Sequence, residues 1–170
     1  MPIRPTTALD APLLPAIEQS AGQAFLSIPE LAWIAHDSPQ SPQRHLELLA
    51  QGLSWVAVDD SDRPVGFLNA EVVDGELYIC ETSVHQDHQR KGVGRALMDT
   101  VKEHARREGY PGVVLTTFKD VPWNAKFYAS VGFAIIPEEE LSQSLNDILA
   151  KEAAAGLPRD KRCAMRYTLL

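Results

Sequence analysis

Two runs rich in β-branched and other apolar residues, Val65 to Val73 and Glu76 to Val84, are joined only by Asp74-Gly75. An Asp-Gly pair suits the left-handed backbone of a two-residue hairpin turn, and such a turn fixes the register of the strands it joins. An antiparallel ladder is therefore expected at the centre of the chain. Directly after it the apolar period changes. Val93, Leu97, Val101 and Ala105 recur opposite Arg95, Asp99, Lys102, Glu103 and Arg106, the pattern of a helix with one buried face, and Gly109 ends it. A strand thus runs through Gln89-Arg90-Lys91-Gly92-Val93-Gly94 into a helix.

The flanking segments complete a mixed α/β order. Near Ile3 a short strand is expected. Leu13, Leu14, Ile17, Ala21 and Ala24 then predict a helix over Ala11 to Phe25, and Ile28 to Ala35 is apolar and aromatic. Ser41-Pro42 opens a second helix, with Ser41 as N-cap and Pro42 in the first helical position, which ends at Gly52. Leu53 to Val58 adds a strand before the Asp59 to Pro64 loop. Beyond Gly109 the expected elements are a strand (Val113 to Phe118), a short helix (Pro122 to Val131) closed by Gly132, a strand (Phe133 to Ile136), a helix (Glu138 to Ala155) and a last strand (Cys163 to Leu169). The polar loops Asp37 to Pro42 and Asp59 to Pro64 are too short for interdomain linkers, so residues 1–170 are expected to form a single domain with one core. The helix after Glu138 is expected to present a solvated face, with a homodimer contact as the alternative.

The net charge of -7 argues against nucleic acid as the main partner and tolerates a cationic substrate. Cys80 and Cys163 both fall in expected strands, which offers neither a disulfide framework nor a Cys-rich zinc site and fits a reducing, cytoplasmic location. The N-terminus has no basic start followed by an apolar run, and no apolar stretch is long enough to span a bilayer. A soluble, unprocessed chain without membrane partners is expected. His85 and His88 lie three apart with no third ligand spaced nearby, so no metal site is expected.

The first amides of a helix have no internal acceptor and carry partial positive charge, so a strand-turn-helix junction is a device for holding phosphate. Gly92 and Gly94 remove side chains that would block approach, and Arg90, Lys91 and Arg95 make the stretch basic within an acidic chain. The stretch lacks the Gly-Lys-Ser/Thr ending of a P-loop, and also the third glycine and following acid of a dinucleotide fingerprint. On this evidence alone, a helix start that merely needs small residues is an equal reading.

The segment from Leu77 to Leu97 resembles the signature of the GNAT superfamily of N-acetyltransferases, whose pattern is Gln/Arg-x-x-Gly-x-Gly/Ala; Gln89, Gly92 and Gly94 fill its fixed positions. Phe127-Tyr128-Ala129-Ser130-Val131-Gly132-Phe133 resembles the family's second signature, separated from the first by one helix and one strand. The resemblance implies a predominantly antiparallel, twisted sheet of about seven strands flanked by helices, with splayed central strands forming a cleft for acetyl-CoA, the cosubstrate. It implies that backbone groups of Gln89, Arg90, Lys91, Gly92, Val93, Gly94 and Arg95 hold the CoA diphosphate, and that Val84 bonds the pantetheine arm and polarises the thioester. Tyr128 would protonate the departing thiolate. Its alternative role is that of a packed aromatic with a satisfied hydroxyl.

Acetylating an amine also requires that the ammonium lose a proton. Glu81, directly or through water and with Glu76 behind it, is the expected base; a solvated edge-strand carboxylate is the competing reading. Polyamine-acetylating members of the family carry acids at both positions matching Cys80 and Glu81, whereas this chain keeps only the second. The family's CoA-binding Asn stands seven residues before the Tyr, where this chain has Val121; Asn124, four before, is carried as a substitute that caps the helix or lines the same pocket. Trp33, His36 and Asp37 fall in the segment that in the family folds over the acceptor, and packing by Trp33 with capping by Asp37 is the plainer reading. The implied reaction is direct acetyl transfer to a primary amine of a small molecule. A protein N-terminus or lysine as acceptor, and a non-catalytic acyl-CoA sensor, are the alternatives.

Overall fold

A computed structural model describes residues 1–169; Leu170, the last residue of the expected 1–170 domain, lies outside the described residues. Seven strands form one sheet: β1 (Ile3–Pro5), β2 (Ser54–Val58), β3 (Pro64–Val73), β4 (Glu76–Val84), β5 (Gly112–Phe118), β6 (Ala134–Ile135) and β7 (Arg162–Thr168), in the order β1-β2-β3-β4-β5-β7-β6. The β4–β5 pairing is parallel, through Leu77↔Val113 and Tyr78↔Val114, and the sheet is otherwise antiparallel. The helices are α1 (Leu14–Gly22), α2 (Pro42–Ala50), α3 (Val93–Glu108), α4 (Ala125–Ser130) and α5 (Gln143–Ala154). The chain divides into two compact units, Met1–Glu71 with Ile79–Val101, and Val72–Tyr78 with Lys102–Leu170.

In the first unit the β1 and β2 ladders and the helices α1 and α2 enclose a core of Leu14, Ile17, Val56, Val58 and Phe67. Ser41 caps α2 as its sequence requires: its Oγ accepts from the Arg44 amide at 3.1 Å, with Pro42 next. Helix one is shorter than the expected Ala11 to Phe25. A continuous ladder would need Pro15 to donate to Ala11, and proline has no N–H, so Ala11–Leu13 is a 3-10 turn and the α-helix starts at Leu14. Gln23–Ser27 and Pro29–His36 are 3-10 segments. Trp33 is among the exposed large apolar residues rather than in the core, and Asp37 Oδ1 accepts from the amide of its neighbour Ser38 at 2.9 Å.

The Asp74-Gly75 turn has the expected left-handed backbone, with φ of 54° and 76°. Gly66 on β3 is required by close packing: a Cβ there would meet the Ser83 carbonyl at 3.2 Å and Val93 Cγ1 at 3.3 Å. Val93, Leu97, Val101 and Ala105 are all buried, which is the stripe read from the sequence.

In the second unit Glu76 and Arg166 form a two-pronged pair, Nε to Oε2 at 3.0 Å and Nη2 to Oε1 at 2.9 Å. The expected helix over Pro122 to Val131 begins only at Ala125. Pro122 instead occupies the second position of a turn closed by Asn124 N–H to the Val121 carbonyl at 3.0 Å, and Asn124 has a ψ of -99°, which no helix accepts. The strand expected over Phe133 to Ile136 is confined to Ala134–Ile135. The expected Glu138 to Ala155 helix is broken likewise. Three successive acids, Glu138–Glu140, form a 3-10 turn, and α5 starts after Ser142, whose Oγ accepts from the Leu145 amide at 3.2 Å.

A side chain at Gly112 would press its Cβ into the Glu76 carboxylate and lie 3.1 Å from the Tyr167 carbonyl. Gly112→Ala is therefore expected to destabilise the fold by about 1–3 kcal/mol. Urea denaturation followed by circular dichroism measures this, and an unchanged midpoint would show that the Glu76–Arg166 pair gives way without cost.

Candidate active site

The turn between β4 and α3 is built by two left-handed residues, Arg90 at φ 62° and Gly92 at φ 81°. A non-glycine residue at positive φ needs outside support. Gln89 provides it by donating from Nε2 to the Val84 carbonyl at 2.9 Å, which ties the turn to the end of β4. Gln89 is thus a brace for the loop. The first bond of the α3 ladder runs from the Ala96 amide to the Gly92 carbonyl at 3.0 Å, so the amides of Val93, Gly94 and Arg95 lie ahead of the ladder. A Cβ added at Gly92 would meet nothing within 4 Å. Arg90, Lys91 and Arg95 are exposed around this helix start. Open space, three amides ahead of the ladder and three cations fit a diphosphate.

Of the two histidines before the turn, His85 serves as a cap. His85 Nδ1 accepts from the Asp87 amide at 3.2 Å and caps the 3-10 turn Gln86–His88. Among the described residues no group of three or more His, Cys, Asp or Glu is arranged to hold a metal.

On β4 the side chains alternate between faces. Cys80 Sγ lies 3.9 Å from Arg44 on α2, and Arg44 pairs with Glu71 at 2.7 Å. Burial, with the Glu71 carboxylate nearby, pushes the Cys80 thiol up to about 12, so it stays protonated at neutral pH. Glu81 is half-buried with Ser83 on the other face; its Oε1 accepts from the Thr82 amide and the Ser83 hydroxyl, each at 3.2 Å. Glu76 stands five residues back along the strand, engaged with Arg166, and so does not support Glu81.

In the second unit, Tyr128 is half-buried on α4 with its ring edge-on to Phe127 (5.3 Å) and Phe133 (6.1 Å). Asn124 occupies the N-cap position of α4, but its side chain makes no capping bond.

Three features have no local sequence signal. The Ser20 hydroxyl on α1 accepts from the Gln86 amide at 3.0 Å, which anchors α1 two residues beyond Val84. Glu18, on the same helix, accepts from the Gln40 amide at 3.1 Å. The Gln40 side chain in turn exchanges bonds with the buried Asn69 (2.9 and 3.3 Å), whose Nδ2 lies 3.3 Å from Nδ1 of buried His45. Burial lowers His45 to about 4, so the ring is neutral and Nδ1 accepts. The third feature is a half-buried network in the second unit: Thr116 Oγ1 and Arg162 Nη2 both bond Glu152 Oε2, at 2.9 and 3.0 Å, and Tyr78 joins through Thr116 at 2.9 Å.

No helix among the described residues is long and apolar enough to cross a membrane. In comparisons with known proteins, human N-acetyltransferase 8 is 33% identical over 85 residues, which cover 46% of this chain and 37% of that protein. The chain therefore spans well under half the length of this relative. The PaiA N-acetyltransferase of Thermoplasma acidophilum, solved with coenzyme A, superposes with a TM-score of 0.72 at 14% identity, covering 99% of this chain and 98% of that one. The ribosomal-protein-S18-alanine N-acetyltransferase of Escherichia coli superposes at 0.67 and 18% identity, over 99% and 95%. At such identities the likeness is one of fold. The model of the acetyltransferase (GNAT) family matches residues 22–133, and with the β4–turn–α3 junction and the mixed seven-stranded sheet in place, the chain belongs to that family.

Proposed function

We propose that the protein transfers an acetyl group from acetyl-CoA to a primary amine of a small molecule, by direct attack without an acyl-enzyme. The observation that carries this reading is the start of α3, where three amides precede the ladder beside a left-handed, side-chain-free Gly92. When bound, acetyl-CoA supplies an activated acyl carbon and a thiolate leaving group. The amides of Val93, Gly94 and Arg95 hold its diphosphate, and Arg90, Lys91 and Arg95 balance the charge. With its carbonyl held by Gln89, Val84 presents its N–H to the thioester oxygen as negative charge grows there. Tyr128 gives its proton to the sulfur as the C–S bond breaks. Glu81, bonded by the Thr82 amide and the Ser83 hydroxyl, offers a carboxylate on β4 to a cationic amine. Asn124 lines the approach to Tyr128. The formal charge of -7 supports a cationic acceptor over an anionic one.

The test is acetyl-CoA offered with a panel of primary amines and a short peptide with a free N-terminus, with thiol release followed. Release with small amines supports the reading. Release with the peptide alone would make a protein N-terminus the acceptor, and tight acetyl-CoA binding with no release from any amine would make the protein a sensor.

Two substitutions separate binding from chemistry. Tyr128→Phe keeps the ring contacts to Phe127 and Phe133 and removes the hydroxyl, so kcat is expected to fall by about 100-fold while the Kd for CoA stays unchanged; an unchanged kcat would leave Tyr128 as a packing residue. Gly94 has no positive φ, so its backbone tolerates a side chain. Gly94→Val is expected to fold normally and weaken CoA binding by about tenfold or more, roughly 1.4 kcal/mol. Calorimetric titration showing wild-type affinity would remove the diphosphate from this turn.

A further inference from the structure

Whatever the acceptor, its ammonium must lose a proton, and Oε1 of Glu81 is already engaged by two donors of its own strand. We propose that Glu18 on α1 is the catalytic base that takes this proton; the proposal rests on the acetyltransferase reading above. Glu18 is half-buried, its Oε1 is held by the Gln40 amide at 3.1 Å, and its Oε2 makes no hydrogen bond among the described residues. One oxygen fixes the orientation of the carboxyl and the other is available to receive a proton.

Two further contacts set its position. Ser20, two positions along the same helix, is bonded to the Gln86 amide, so α1 is anchored beside the end of β4, where Val84 stands. Gln40 cannot drift, because its side chain is locked to Asn69 on β3, and Asn69 to His45 on α2. The carboxyl is thus held by the Gln40 amide, and Gln40 in turn by a chain of side chains that runs through β3 to α2.

The charged surroundings raise its proton affinity. Burial and then the neighbouring Asp37 carboxylate outweigh the Gln40 bond and bring Glu18 to about 7, where a base serves best at neutral pH. No cation offsets this. Arg44 on α2 is committed to Glu71 and Glu47, His45 is neutral, Glu30 and His36 are exposed on the Pro29–His36 segment, and Ala11–Leu13 and Gln23–Ser27 carry no charge. In the step, an N–H bond of the ammonium breaks and its proton goes to Glu18 Oε2. The freed lone pair forms the bond to the acyl carbon, the C–S electrons leave on sulfur, Tyr128 protonates the thiolate, and the acylated nitrogen releases its second proton to solvent to leave the neutral amide. Exchange with solvent resets both residues.

The proton balance gives a readout independent of turnover. Between the ordinary carboxyl value near 4.5 and about 7, the folded chain holds a proton on Glu18 that the unfolded chain has released, so this group's contribution to stability falls as pH rises across that window. Glu18→Gln is therefore expected to gain Tm relative to wild type between pH 5 and pH 8. Its kcat/KM for 1,4-diaminobutane, tyramine or benzylamine is expected to drop about 100-fold at pH 8, with unchanged Kd for acetyl-CoA. The ratio of wild-type to variant kcat/KM should rise with pH and level off above about 7, since titration of the amine itself cancels in the ratio. Carboxyl-carbon NMR locates the Glu18 titration directly.

A Glu18 carboxyl that titrates in the ordinary range overturns the proposal, as does a Glu18→Gln enzyme with wild-type turnover, or a pH limb that vanishes in Glu81→Gln but persists in Glu18→Gln. Each of these leaves the acetyltransferase reading standing. A wild-type protein that fails to bind acetyl-CoA overturns both.

Discussion

The bond from Gln89 Nε2 to the Val84 carbonyl holds the functional half of the first unit in shape. Two residues in the left-handed region within three positions, one of them Arg90, make a turn that an isolated peptide would rarely adopt. The brace fixes the turn to a strand that is itself fixed by the Asp74-Gly75 hairpin, so the direction of α3 follows from the register of β4. Because Gly92 accepts the first ladder bond, the amides after it face forward without a partner in the helix. A brace back to β4 and a donor surface facing outward are two consequences of one local geometry.

That geometry also needs the sheet to come close. Gly66 lets Val93, the first residue of α3, lie against β3 at a distance where a methyl group would already be tight. The buried stripe Val93, Leu97, Val101 and Ala105 then seats the helix along its length. Glycines at three places serve three needs: Gly75 supplies a hairpin backbone, Gly66 close packing, and Gly92 a left-handed turn with open space.

Features set by neighbours in the chain were legible in the sequence. The hairpin, the Ser41 cap, the α3 stripe and the strand–turn–helix junction each depend on residues a few positions apart, and each stands where the pattern places it. The expected bounds fail at two prolines. Pro15 removes a donor that a longer helix one would need, and Pro122 belongs to a turn that ends at Asn124. The run of acids at Glu138–Glu140 likewise read as part of a helix that in fact waits for Ser142. Glu18 was invisible for a different reason. It is the first of three consecutive polar residues, Glu18-Gln19-Ser20, and only the fold shows that Gln40, 22 positions away, covers it.

The loss of an acid at Cys80 gains meaning from this arrangement. On the face of β4 that meets α2, the thiol is neutral and the nearby Glu71 is paired with Arg44, so that patch carries little uncompensated charge. Negative charge is instead displaced onto α1 and the residue after the Pro29–His36 segment, as Glu18 and Asp37, and no cation of α2 is left to pair with it. A carboxylate on a strand has its orientation fixed by the pleat, whereas one on α1 is aimed by whatever anchors the helix. Here the anchors are Ser20 at Gln86 and the Gln40–Asn69–His45 chain, so proton affinity and position are set by different contacts. Removing the Asn69 lock would loosen the aim of Glu18 while leaving its burial largely in place. Burial and Asp37 govern how readily the proton is taken, and the amide and side-chain locks govern from where.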